Sequence, residues 1–230
     1  MGLFSADLEP REPEAPAETL PKRLWQLLRD ECGSLLMLNL TFILFCLPVV
    51  TIPAAVWGLH QSCWLLVRGK GGSGMPAFRA ALRRGQLGKS WAAFGLTLPL
   101  LAVACYGCWF YLNAAGQSVF MLLPFAFCSL SFWVLLLSGG YLYALLCAGQ
   151  PLGRETLLRA VALAFLHPLR ALASALCHYG LPLAAFFMLP MSGAYLVLIG
   201  FSLPCLLGCL FAQKAMDRLL GIGEEKATEE

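Results

Sequence analysis

The sequence predicts an all-α fold, a polytopic transmembrane helical bundle, and three observations lead to this prediction. Hydrophobic residues make up 59% of the 230 residues, whereas charged residues make up only 13%. The charge is unevenly spread, because residues 32–67, 90–153 and 171–213 contain no Asp, Glu, Lys or Arg. These runs are 36, 64 and 43 residues long. A helix needs about 20 apolar residues to cross the hydrocarbon core of a bilayer, so each run has room for two spans.

The two ends of the chain differ from this apolar middle. Residues 1–20 hold five acidic residues, three prolines and one arginine. This composition predicts a disordered tail and not a secretory signal peptide. We place the membrane domain at residues 21–215 and a polar C-terminal tail at residues 216–230.

The first predicted span, at about residues 24–47, leads into a proline-rich segment. Pro48 and Pro53 flank Thr51 in this segment, and two prolines five residues apart do not fit one straight helix. The segment is therefore either a kink in one long span or the tip of a helical hairpin. A hairpin gives a second span at about 53–68 and six spans in all, whereas a kink gives five.

The positions of the basic residues favour the hairpin. All 16 Lys and Arg residues fall within four segments, at 11–29, 68–89, 154–170 and 214–226. If every apolar run folds back on itself, these segments face one side, and the tips near 48–53, 113–118 and 190–193 carry no basic residue. Basic residues are enriched on the cytoplasmic side of membrane proteins. We therefore expect both termini to be cytoplasmic.

The remaining spans follow from the other two apolar runs. They are predicted at about residues 91–113, 118–148, 171–190 and 193–213. Aromatic residues near span ends, among them Trp64, Tyr141 and Tyr143, are expected to form a belt at the cytoplasmic interface. Pro168 disfavours helix at the residue before it, which predicts a bend at His167 where the chain enters the fifth span.

Two basic connectors are expected to form amphipathic helices on the cytoplasmic surface of the membrane. In residues 76–89 an apolar face is separated from basic side chains, and in residues 154–167 Leu158 and Phe165 lie opposite Arg159. Such helices bind anionic lipid headgroups. The expected headgroup contacts are Arg79, Arg83, Arg84, Lys89 and Arg159. Membrane lipids are thus the predicted partners of these arginines, and nucleic acid is not.

The apolar runs offer little chemistry. They contain no carboxylate, although coupled transporters usually carry an ionisable group in the membrane. The cysteines lie within or at the edges of these runs, where cysteine acts as a small apolar residue. We find no pattern of a phosphate loop, dinucleotide site, zinc protease or nucleophile elbow. The sequence therefore predicts neither an enzyme nor a cofactor or metal site.

A few polar or helix-breaking residues within the runs are candidate functional positions. They are Asn39, Pro48, Thr51, Pro53, His60 and His178. His178 is a titratable group well inside a span, and a histidine that simply packs between helices is the favoured interpretation. Backbone carbonyls freed at the proline-rich break are candidate ion ligands, with a plain turn as the favoured alternative.

Several short motifs resemble one family. They are Asn39, the stretch Leu-Pro-Val-Val-Thr-Ile-Pro-Ala-Ala at 47–55, Phe78-Arg79, Lys89-Ser90-Trp91, Leu158-Arg159-Ala160 and His167-Pro168. With these motifs the chain resembles the YesL-like family of bacterial integral membrane proteins over roughly residues 20–215. The acidic first 20 residues and the high cysteine content depart from the family pattern.

The resemblance implies a cellular location and an association with carbohydrate uptake, but it identifies no site residues. Members of this family, a domain of unknown function, are often encoded near carbohydrate uptake transporters. The resemblance therefore implies a multi-pass protein of the bacterial cytoplasmic membrane, accessory to carbohydrate uptake, with a carbohydrate ABC transporter as partner. The alternative is a small transporter in its own right, without ion coupling through a buried carboxylate. Self-association is left open.

Overall fold

The structure, a computed structural model, describes residues 20–69, 74–82, 84–114 and 118–219, and the regular elements in these ranges are all helical. The α-helices are α1 (Leu20–Cys46), α2 (Ile52–Val67), α3 (Gly74–Ala81), α4 (Arg84–Ala114), α5 (Leu122–Cys147), α6 (Arg154–Leu166), α7 (Pro168–Ala175), α8 (Leu181–Phe187), α9 (Gly193–Leu198) and α10 (Ser202–Leu219). A π-helical turn, Leu176–Gly180, joins α7 to α8. The predicted all-α fold is thus confirmed. Residues 1–19 and 220–230 of the predicted tails lie outside the described residues, and α10 runs four residues past the predicted domain end.

Each of the three apolar runs folds back on itself. In the first, the guanidinium of Arg23 in α1 donates a hydrogen bond to the carbonyl of Val67 at the end of α2, at 2.8 Å. In the second, the hydroxyls of Thr97 in α4 and Tyr143 in α5 are 3.4 Å apart. In the third, Ser174 of α7 donates to the carbonyl of Gly208 in α10 at 3.1 Å. The chain therefore forms three helical hairpins.

The proline-rich segment is the tip of the first hairpin and not a kink in one helix. α1 ends at Cys46, and a 3-10 turn, Val49–Thr51, leads directly into α2. The Thr51 hydroxyl donates to the carbonyls of Pro48, at 2.8 Å, and Phe45. Pro53 falls in the first turn of α2, where the missing N–H has no helical partner to lose.

By length and composition, three helical segments of the described residues qualify as membrane spans. They are Val49–Val67, Leu87–Ala114 and Val119–Cys147, and a fourth is added if α6 and Pro168–Phe187, bent by 107°, count as one span. The first and last predicted spans are not among them. In α1 only the 15 residues after Glu31 are free of charge, and the last predicted span is divided between α9 and α10.

α2 lies at the centre of the bundle. In its most apolar window 56% of the residues are buried, against 11% in α4. Trp64 of α2 is only 3% exposed, and Tyr141 and Tyr143 of α5 are likewise buried. The expectation that these three residues lie in an interfacial belt is therefore wrong, since other helices surround them.

The connector predicted as one surface helix over residues 76–89 is two elements. α3 ends at Ala81, and the chain from Arg84 onward already belongs to α4. The apolar face of α3 packs on the first hairpin, because Phe78 is fully buried with its ring 5.8 Å from that of Phe45. Arg79 and Lys89 are exposed, whereas Arg83 and the side chain of Arg84 lie outside the described residues.

The residues of the second connector form one helix, α6. Leu158, Arg159 and Phe165 are exposed on it, while its buried face is formed by Thr156, Ala160, Leu163 and Ala164. The Arg159 side chain lies 3.9 Å from Glu155. The bend to α7 falls at His167, whose backbone (φ −130°, ψ 61°) leaves helical geometry just before Pro168. The predicted position of this bend is confirmed.

Candidate functional site

A cavity of about 430 Å³ lies inside the bundle. Its wall is formed by α2, α4, α5, α6, the π-helical turn and α10, and most of its lining residues are apolar, such as Leu59, Leu101 and Leu142. Leu98 and Leu100 line the cavity from α4 and are 52% and 46% exposed. The cavity therefore reaches the outer surface beside α4, among apolar side chains.

One part of the cavity wall is polar, and three rings stack there. The imidazoles of His60 and His178 are nearly parallel, with centroids 4.9 Å apart and an interplanar angle of 3°. The phenol ring of Tyr143 stacks on the other side of His60 at 4.6 Å. The structure thus brings together His60 and His178, two of the residues singled out in the sequence, although they lie 118 positions apart.

Both imidazoles are held by their own helices. Nδ1 of His60 lies 2.9 Å from the carbonyl oxygen of Val56, and Nδ1 of His178 lies 2.9 Å from that of Ser174. A nitrogen bonded to a carbonyl oxygen must carry the proton. Each ring therefore presents Nε2 as the nitrogen with the free lone pair, and Nε2 of His178 is buried without a hydrogen-bond partner among the described residues.

Two thiols of α10 complete this polar cluster. The ligand-type atoms of His60, His178 and Cys205 all lie within 4.8 Å of one another. The thiol of Cys209 lies beside Cys205 and the His178 imidazole, and the thiol of Cys63 lies beside that of Cys205. We call His60, His178, Cys205 and Cys209 the histidine–thiol cluster. It combines two imidazoles with two soft sulfur donors.

The position of the His178 side chain depends on two glycines that pack against it or its neighbour. A Cβ atom added to Gly208 would overlap the imidazole itself, and one added to Gly140 would lie 2.7 Å from the Ser174 hydroxyl. His178 also lies in the π-helical turn Leu176–Gly180. Such turns are rare and occur often at functional sites. The π-helical turn and the neighbouring glycines together allow the His178 ring to lie beside the other members of the histidine–thiol cluster.

Asn39 has a different role from the histidines. Its side-chain amide donates to the carbonyls of Leu196 and Val197 at 2.9 and 2.7 Å, and its carbonyl oxygen accepts from the backbone N–H groups of Phe201 and Ser202 at 2.9 and 3.1 Å. These four groups flank the break between α9 and α10. Asn39, which is fully buried in the bundle, therefore provides hydrogen-bond partners for the backbone groups at this break.

The other candidates from the sequence lie at the hairpin tip, away from the cluster. Pro48, Thr51 and Pro53 belong to the turn and the first residues of α2. The Pro48 carbonyl is occupied by hydrogen bonds from the backbone and the side chain of Thr51. The structure thus gives these three residues a place in a turn.

Sequence reasoning missed the cysteines of the cluster. The signal was available as spacing, because Cys205 and Cys209 are four residues apart, as are Ser174 and His178, and such residues share one helix face. What the sequence does not contain is which faces meet. His60 and His178 are 118 positions apart in the sequence. They meet because α10 packs against both α2 and the π-helical turn.

Comparison of the chain with protein-family models, curated proteins and solved structures finds no match. The resemblance to the YesL-like family therefore stays a prediction from the motifs quoted above.

Proposed function

We propose that this chain is a multi-pass protein of the bacterial cytoplasmic membrane whose three hairpins cross the bilayer six times. Two polar contacts at one end of the bundle support this topology. Arg23 joins the start of α1 to the end of α2, and Arg68 at the end of α2 pairs with Asp217 of α10 at 2.9 Å. These basic residues share one end, as a cytoplasmic face with both termini requires.

We propose that this protein acts without catalysis, by binding a small, largely apolar solute in the central cavity. The observation that carries the proposal is the cavity itself, with apolar walls, one polar patch and an outlet between exposed leucines of α4. Pockets of about 300–1,000 Å³ are typical of small-molecule sites. An outlet among apolar side chains admits a solute from the lipid phase. This proposal corresponds to the alternative given above, a small transporter in its own right. The class of solute is inferred from the apolar residues that line the cavity.

The accessory role in carbohydrate uptake is a separate proposal that depends on the family resemblance. A sugar presents many hydroxyl groups, and burying them without partners is costly. The cavity lining offers few polar side chains besides His60, Thr97, Ser138, Tyr143, His178 and Tyr179. We therefore propose that a contribution to sugar uptake is made through helix contacts with a transporter, and not by carrying sugar through this cavity.

The solute proposal is tested by filling the cavity. Leu101 lines it, whereas Val103 on the same helix points outward and is 69% exposed. Native mass spectrometry of the purified protein in mild detergent should detect a bound apolar molecule. Leu101→Trp should remove it, while the matched variant Val103→Trp should retain it. Equal occupancy in the two variants, or an empty wild-type protein after incubation with membrane extract, would count against the proposal.

A further inference from the structure

We propose that His60, His178 and Cys205 bind a soft metal ion with filled d orbitals, Cu⁺ or Zn²⁺, and that Cys209 is the fourth ligand for Zn²⁺. The proposal is independent of solute binding in the cavity, because it concerns only the histidine–thiol cluster in its wall. Three ligand-type atoms from three separate elements, α2, the π-helical turn and α10, converge there.

The spacing of these atoms suits a metal site. Zinc bonds of about 2.0–2.3 Å in a tetrahedral site place ligand atoms roughly 3.3–3.8 Å apart. The three atoms of the cluster already lie within 4.8 Å of one another. The two imidazoles, which are stacked nearly parallel, would also have to rotate about their side-chain torsions so that one lone pair of each ring points at the same ion.

Both histidines are prepared as ligands. A metal-bound histidine almost always donates its second ring N–H to a backbone carbonyl, a carboxylate or water, which fixes the tautomer. Here Nδ1 of each imidazole meets the carbonyl four residues earlier, that of Val56 or Ser174. The Nε2 lone pairs are thus left for the metal.

A second, independent observation also indicates a ligand. Nε2 of His178 is buried and accepts no hydrogen bond from the part of the chain that the structure describes. Buried polar atoms without a partner are uncommon in native structures. Gly208 and Gly140 pack closely on this ring, and the Cys209 thiol lies beside it. A metal ion held by the cluster would supply the missing partner of Nε2.

The donor set and the charge balance select the ion. Imidazole and thiolate suit copper and zinc, whereas magnesium and calcium require oxygen ligands. Burying net charge among apolar helices is costly, so the thiolates should neutralise the metal. Cu⁺ is neutralised by the Cys205 thiolate, with release of one proton. Zn²⁺ requires the thiolates of Cys205 and Cys209 and releases two protons. Neither binding step changes an oxidation state.

The experiment measures metal bound to the untagged, full-length protein in detergent. The protein is incubated separately with Zn²⁺ and with Cu⁺ under reducing conditions, desalted, and analysed by mass spectrometry for metal per chain. We expect one ion per wild-type chain. Cys205→Ser should weaken binding of either ion by at least about tenfold, and Cys209→Ser should weaken binding of Zn²⁺ alone. Cys128→Ser and His167→Gln, which change residues outside the cluster, should bind as the wild type does.

X-ray absorption of the loaded wild-type protein provides a readout that does not depend on any variant folding. A first shell of two nitrogens with one sulfur for Cu⁺, or with two sulfurs for Zn²⁺, is expected. No bound metal in the wild type, equal binding by Cys205→Ser and Cys128→Ser, or a first shell without sulfur would each overturn the proposal.

Discussion

Asn39 shows how one side chain maintains a break in a helix. The backbone from Leu196 to Ser202 leaves helical geometry at Ile199 (φ −143°, ψ 5°), which frees carbonyl and N–H groups inside an apolar bundle. Leaving a backbone N–H or carbonyl group without a hydrogen bond costs free energy in such an environment. A break in a helix is therefore tolerated only where other protein groups form hydrogen bonds with the freed backbone groups. The carboxamide of Asn39 does so with two donated and two accepted hydrogen bonds.

We therefore expect Asn39→Leu to destabilise the protein by about 2–4 kcal/mol, since an interhelical hydrogen bond in a membrane protein contributes about 0.6–2 kcal/mol. The measurement is unfolding of the purified protein in detergent. The control is Asn113→Ala, because Asn113 is exposed and donates a hydrogen bond to the carbonyl of Trp109 in its own helix. A melting temperature unchanged by Asn39→Leu would contradict the role assigned to this residue.

At this scale the sequence indicated the type of residue but not its contacts. Asn39, His60 and His178 were recognisable because polar side chains are rare in apolar runs. Their roles depend on partners 118 to 163 positions away, which no local pattern contains. Cys205 was indistinguishable from the other apolar-run cysteines until the packing placed it beside two imidazoles.

At the scale of elements, the packing of α3 depends on a glycine. A Cβ atom on Gly58 would lie 2.9 Å from Cδ2 of Phe78, closer than real contacts allow. Gly58 thus lets α3 approach α2 and bury Phe78. The contact explains why this short basic segment packs on the hairpin and does not form the surface helix expected over 76–89.

Replacing Gly58 by leucine should force α3 away from α2. We expect a loss of about 1–3 kcal/mol of stability, as for other overpacked interiors, and faster proteolysis of the connector between α2 and α4. Gly88→Leu is the control, since no atom of the described residues lies within 4 Å of a Cβ built there. Identical stability and cleavage rates for the two variants would show that α3 does not require this contact.

Element boundaries set by proline were predictable, whereas boundaries set by packing were not. Pro168 fixes the bend after α6, and Pro48 with Pro53 fixes the hairpin tip, because proline limits the backbone locally. The division of the last apolar run into α9 and α10 has no such local cause. It depends on Asn39, which reaches the break from the first helix.

At the scale of the whole molecule, the three hairpins predict where labels can reach. Single cysteines at positions 20, 52 and 116, in a chain whose native cysteines are replaced by serine or alanine, can be treated in whole cells with an impermeant maleimide. Positions 52 and 116 should react from outside, because they belong to the tips predicted from the sequence at 48–53 and 113–118, and position 20 should react only after the membrane is opened. Outside labelling at position 20 would reject six spans with cytoplasmic termini.

The central position of α2 also affects how the protein folds during synthesis. α2 is synthesised before α10, the helix that packs on it. Until synthesis reaches α10, the face of α2 that carries Cys63 lacks its neighbour Ser202. A nascent chain that stops before α10 therefore has an incomplete core, and we expect it to be degraded faster than the chain that includes this helix.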